Sequence, residues 1–190
     1  MGLYKQLKNT WNNSSEDFVA MHRKRMTEWR DQPTTFRIDK PTRLDRARAI
    51  GYRAKQGVIV VRQRVNRGGR MRPSIRSGRR TAHNYQQKNL AKSYQSVAEE
   101  RANEKFTNCE VLNSYFVGKD GINYWYEIIL LDRTQPAIQT DPQYKNIITQ
   151  RGRVYRGITS AARKSRGLRG KGFGYEKSRP SNKAAGGHAN

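Results

Sequence analysis

Residues Glu110–Leu131, EVLNSYFVGKDGINYWYEIILL, decide the fold. Two apolar runs, about Glu110 to Val117 and Asn123 to Leu131, flank Gly118-Lys119-Asp120-Gly121. An Asp-Gly step between such runs is a strong β-hairpin signal, because these residues accept the backbone angles of a tight turn that matches strand twist. In the second run Tyr124, Tyr126, Ile128 and Leu130 fall on one face and Trp125, Ile129 and Leu131 on the other. That pattern reads as a well-buried strand rather than as a platform for stacking bases.

Outward from the hairpin, Gly57 opens the β-branched run Val58–Val65. Alternation puts Ile59, Val61 and Val65 on one face, while Arg62 and Arg64 share the other with Val58 and Val60. The strand is therefore expected to be buried at its start and basic at its end. Thr34–Ile38 alternates as a shorter strand. Three helices are expected between and before these strands. The first runs from Ser14 to Arg30, with Ser14 and Asp17 at capping-box spacing. The second follows Pro41, with Thr42 as cap, Asp45 closing the box, and a small apolar seam of Leu44, Ala47, Gly51 and Ala54. The third spans Asn89 to Lys105; its Glu99, Glu100 and Glu104 are expected to pair with Arg101 and Lys105 or to turn away from a polyanion.

After the first helix the order is β-α-β-α-β-β. It predicts an α+β fold: a small, mainly antiparallel sheet with helices on one face, plus N-terminal helices and long basic extensions. The expected organisation is an N-terminal helical segment over 1–33, an α+β core over 34–135 with a basic loop at 66–88, and a basic, largely extended segment over 136–190, in which Ile158–Ser165 forms a short helix.

Charge indicates the partner. The 190 residues hold 39 Lys and Arg against 15 Asp and Glu, a net charge of +24. From Arg46 to Ala98 there is no acidic residue, and from Pro142 to Asn190 only Glu176. Such one-sign blocks repel themselves when compact, so a partner with negative charge is needed. Arginines outnumber lysines 25 to 14, which favours phosphate forks and base stacking over simple point-charge attraction. The candidate RNA-binding residues are Arg43, Arg46, Arg48, Arg53 and Lys55; Arg62, Arg64, Arg67, Arg70, Arg72, Arg76, Arg79 and Arg80; and Arg153, Arg156, Arg163, Lys164, Arg166, Arg169 and Lys171. Glycines among them, as in Arg67-Gly68-Gly69-Arg70, let the backbone approach phosphate closely. RNA is favoured over DNA because no zinc finger, basic zipper or helix-turn-helix is visible.

Other chemistries lack the residues. His22, His83 and His188 are scattered and Cys109 stands alone, so no metal-ligand spacing exists. No carboxylate or histidine cluster supports acid–base catalysis, which argues against an RNA-modifying enzyme; a DNA-packaging protein is the other rival. No cofactor or small-molecule substrate is expected. No apolar run approaches the roughly 18 residues of a membrane span, and a soluble, intracellular protein is expected. Lys171-Gly172-Phe173-Gly174-Tyr175 is similar to the opening of the RNA-recognition-motif signature, but Glu176 and Lys177 break it. It is read as a tail segment whose aromatics can stack on bases.

Several stretches resemble one family. Pro41–Gly57 (PTRLDRARAIGYRAKQG), Arg64–Arg70 (RVNRGGR), Gln95–Ala102 (QSVAEERA), Val111–Tyr115 (VLNSY) and Arg156–Leu168 (RGITSAARKSRGL), with Met1-Gly2, Tyr4-Lys5 and Trp11, resemble the large-subunit ribosomal proteins of the fifteen-e family of archaea and eukaryotes. Phe116 stands where members often have Trp, and the tail after Leu168 is shorter than in eukaryotic forms, which looks archaeal. The resemblance implies a cytoplasmic, non-catalytic constituent of the large ribosomal subunit that binds large-subunit rRNA beside neighbouring ribosomal proteins.

Overall fold

The computed structural model describes residues 2–71, 78, 87–88, 90–176, 178–179 and 181. The elements run α1 (Leu3–Asn12), α2 (Glu16–Asp31), β1 (Thr35–Ile38), α3 (Leu44–Ala49), β2 (Val58–Asn66), β3 (Arg70–Met71), β4 (Gln87–Lys88), α4 (Tyr94–Lys105), β5 (Cys109–Lys119), β6 (Asn123–Asp132), α5 (Pro136–Gln139), α6 (Pro142–Ile148) and α7 (Ser160–Ser165). The main sheet is antiparallel throughout, in the order β1-β2-β6-β5. A two-stranded ribbon, β3 with β4, rises from the basic loop.

The expected α+β class, the antiparallel sheet and the N-terminal helices are all present. The β5–β6 hairpin closes where Asp120 accepts the Ile122 backbone N–H at 2.8 Å, a side chain standing in for a turn carbonyl. Strand β6 is central, and every residue from Trp125 to Leu131 is buried.

That continuous burial has a cause the sequence reading missed: helices cover both faces of the sheet, not one. On one face Val61, Val65, Tyr126, Ile128 and Leu130 pack with Ala98 and Ala102 of α4. The two alanines are fully buried, and their small size lets the helix lie close on the strands. On the other face Val60, Trp125 and Ile129 pack with Trp29 of α2 and with Ala47 and Tyr52. A third cluster joins Leu131 to Ile138 and Tyr144. Gly57 feeds chain into β2 at φ +84°, and a Cβ there would meet Ile138 at 2.6 Å. Only glycine satisfies both demands.

Helix boundaries moved. Ser15, not Ser14, caps α2 by accepting the Phe18 N–H. Helix α4 starts at Tyr94 behind the Ser93 cap rather than at Asn89. Helix α3 ends at Ala49, before the expected seam residues Gly51 and Ala54, and has no side-chain cap. Thr42 is instead committed to the core, where its N–H and Oγ1–H donate to Glu127. The segment from 136, expected to be largely extended, is through Ser165 three short helices seated on the core: Tyr144 donates to the Gly51 carbonyl at 2.7 Å, and α7 buries Ala161 and Ala162.

Candidate nucleic-acid interface

The acids set around the core are buried, while most of the candidate cations lie at the surface. Asp45, Glu99, Glu110, Glu127 and Asp141 are all buried. Glu127 is fully enclosed and accepts from Thr42, from the Tyr115 hydroxyl and from Arg62 Nη2 at 3.4 Å. Burial and the adjacent Glu127 carboxylate push the Tyr115 phenol well above its usual range, so it stays a donor. Glu99 accepts from Ser114 Oγ and, at 2.5 Å, from Thr159 Oγ1, and burial raises its pKa. Glu110 accepts the Gly152 N–H at 2.9 Å. The expectation that Glu99 pairs on the surface is thus corrected: it is an internal bolt between α4, β5 and the start of α7.

The candidate cations separate into three states. Outward and exposed are Arg46, Arg48 and Arg53 on and after α3, Arg67 and Arg70 beyond β2, and Arg156, Arg163, Lys164, Arg166, Arg169 and Lys171 around α7. Helix α7 turns its two alanines to the core, which leaves Arg163 and Lys164 at the surface. Arg67 lies over the Tyr124 ring at 5.2 Å and donates to the Asp120 carbonyl at 2.7 Å, so its guanidinium is held in place.

Partly engaged are Arg43, paired with Asp45 at 3.2 Å and stacked on Trp11 at 4.6 Å; Lys55, paired with Asp141 at 2.9 Å; and Arg64, which donates to the Arg30 carbonyl.

Turned inward are Arg62 and Arg153, two residues expected at the interface. The Arg62 side chain is 10% exposed, sits 4.0 Å over Trp29 and donates to Gln32 and Thr42 besides Glu127. Desolvation lowers its pKa, opposed by Glu127. Arg153 donates to the Val111 and Leu112 carbonyls of β5, at 2.6 and 3.0 Å, and so occupies part of that edge strand. Both serve the fold. Arg72, Arg76, Arg79 and Arg80 lie outside the described residues.

A family model described as Ribosomal L15 matches residues 2–185. The chain belongs to the ribosomal L15 family. It is similar to proteins named large ribosomal subunit protein eL15: 48% identical over 187 residues to that of Picrophilus torridus, covering 96% of each chain; 49% over 182 residues to that of Methanocella arvoryzae, covering 94% of this chain and 93% of the relative; and 45% over 186 residues to that of Nanoarchaeum equitans, covering 97% and 98%. Members of this family are structural proteins and not enzymes, and these three relatives are archaeal.

Two further features of this family member bear on the interface. Arg23, Lys24 and Arg37 are also exposed; sequence reasoning passed over the first two because α2 mixes Glu16, Asp17, Glu28 and Asp31 among its bases, the pattern of an ordinary solvated face, and over Arg37 because it is a single base on the short β1. Among the described residues no three His, Cys, Asp or Glu side chains are grouped to hold a metal, and no helix is long and apolar enough to cross a membrane. Cys109 is buried at the start of β5, where desolvation pushes its thiol up to about 11.

Proposed function

We propose that this chain is a structural constituent of the large ribosomal subunit that binds and stabilises large-subunit rRNA by neutralising phosphates with arginine and lysine. The observation that carries this reading is where the exposed cations stand: on elements that pack on opposite faces of one sheet. Helix α3 sits on the Trp29–Trp125 face, and α7 packs on α4 over the other. Cations so distributed suit a protein enclosed by folded RNA more than one that docks by a single patch.

The residues assigned this role are the outward group, with Arg43, Lys55 and Arg64 in support and Arg72, Arg76, Arg79 and Arg80 in the loop. Three parts divide the work: an N-terminal helical segment over 1–33, a core over 34–135 that fixes where charges point, and a C-terminal arm from 136. Neighbouring ribosomal proteins are expected partners, and the site of action is the cytoplasmic ribosome.

The test is a salt titration of binding to deproteinised large-subunit rRNA with duplex DNA as competitor. A linear fall of log affinity with log salt and a preference for rRNA are expected. Salt-independent binding, or preference for DNA, overturns the proposal.

A further inference from the structure

Phe173 is the most exposed large apolar side chain among the described residues, at 102% relative exposure. It stands in a loop over 170–176 that contacts back to Gly170 close on itself. The Tyr175 ring lies against Gly170 so tightly that a Cβ there would meet it at 2.2 Å. Arg179 donates to the Gly170 carbonyl at 3.2 Å, and the Ser178 and Arg179 N–H groups donate to the Tyr175 carbonyl at 3.1 Å. Glu176 turns its carboxylate onto the Gly174 N–H at 2.8 Å. The loop thus engages its tyrosine, glutamate and arginine on its own backbone, while its phenylalanine is left fully exposed. Gly172 and Gly174 bracket the ring at φ +85° and +91°. These backbone angles suit glycine and hold the loop in its projecting form.

A bare phenyl ring forfeits the gain of burial unless something covers it. The surroundings say what. Arg166 and Arg169 are exposed beside the loop and Lys171 within it, and Glu176, the one acid after Asp141, is engaged with the Gly174 N–H. Cations next to a free aromatic face match a phosphate track with an unstacked base, since every base offers a π-face. The closed loop holds the ring in its projecting position before binding, which reduces the ordering cost.

We infer that Phe173 stacks on an unpaired base of the RNA whose phosphates Arg169 and Lys171 neutralise; this rests on the rRNA-binding reading above. The experiment uses the full chain with refolded, deproteinised large-subunit rRNA, a poly(U) strand and a fully paired RNA duplex. Phe173→Ala is expected to weaken rRNA binding on the order of 5- to 100-fold with an unchanged salt slope, because the ring carries no charge. Phe173→Trp retains affinity, and its added indole emission is quenched by rRNA and poly(U) but not by the duplex. Gly170→Ala, which expels Tyr175 and opens the loop, reproduces part of the Phe173→Ala loss. Native affinity in Phe173→Ala refutes the inference while leaving the rRNA reading intact; equal quenching by the duplex, or a loss seen only when other large-subunit proteins are present, also refutes it. Absence of salt-dependent rRNA binding by the native chain is a different result and removes the underlying reading.

Discussion

Glu99 brings an ionisable group into a place without water, and its cost is readable as a pH dependence. Burial raises its pKa above the ordinary 4.5, against the pull of Ser114, Thr159 and Arg153. As pH rises from about that value, the unfolded chain releases this proton first and the folded chain holds it longer. The folded state then binds more protons, so stability falls with rising pH until the raised value is passed, and levels off. Glu99→Gln removes that step while keeping partners for both hydroxyls, which rotate to donate to or accept from the amide. Urea unfolding of both chains between pH 4.5 and 8 is expected to show the variant gaining on the native protein as pH rises; parallel profiles refute the assignment. Arg62 gives the opposite kind of test. Arg62→Ala leaves Glu127 buried without its cation and is expected to cost about 3–5 kcal/mol, whereas Arg46→Ala, at the surface, stays within about 0.5 kcal/mol. Equal effects in denaturant unfolding contradict the inward placement of Arg62.

At the scale of elements, what was legible is what is local. The β5–β6 hairpin followed from alternation around one turn, and β2 from a β-branched run behind a glycine. What was illegible depended on distant partners. Thr42 has the look of a helix cap, yet Glu127, 85 positions away, claims its hydroxyl and backbone N–H. Arg62 reads as the basic end of a strand until the register sets it opposite Glu127, one of the few charges in β6. Glu99 sits in a helix rich in surface acids, and only Ser114 and Thr159, on other elements, reveal that it points inward. The segment from 136 was expected to be basic and largely extended, but Ile138, Tyr144 and Val154, each nearly or fully buried, suffice to seat it when a sheet edge is already there to receive them. The cap of α4 was not foreseen: the helix was expected from Asn89, and it begins at Tyr94 behind Ser93. Ser93 accepts the Ser96 N–H at 3.3 Å and receives no help from an acid in the first turn. Ser93→Ala is therefore expected to cost about 1 kcal/mol. A thermal or urea midpoint unchanged from the native chain places the cap elsewhere.

At the scale of the whole molecule, the two-sided sheet decides how the charge is used. A one-sided protein presents cations to one surface of its partner, and removing a second cluster on the far side changes nothing. Here Arg46, Arg48 and Arg53 are exposed on and just after α3, while Arg163, Lys164 and Arg166 are exposed on and just after α7, with the sheet between the two helices. Neither set shares a partner with the other in any hydrogen bond or ion pair found among the described residues, so their effects should add. Replacing either trio with alanine is expected to flatten the salt slope of rRNA binding by about 0.7–0.9 for each phosphate no longer neutralised, hence by up to about 2–3 per trio. The sextuple variant then shows the sum of the two. Because these side chains stay outside the core, circular dichroism and unfolding midpoints should remain those of the native chain, which separates weakened RNA binding from unfolding. If one trio flattens the slope and the other leaves it untouched, the RNA touches a single face. The second set of cations then has no phosphate to meet, and the picture of a protein enclosed by its RNA fails.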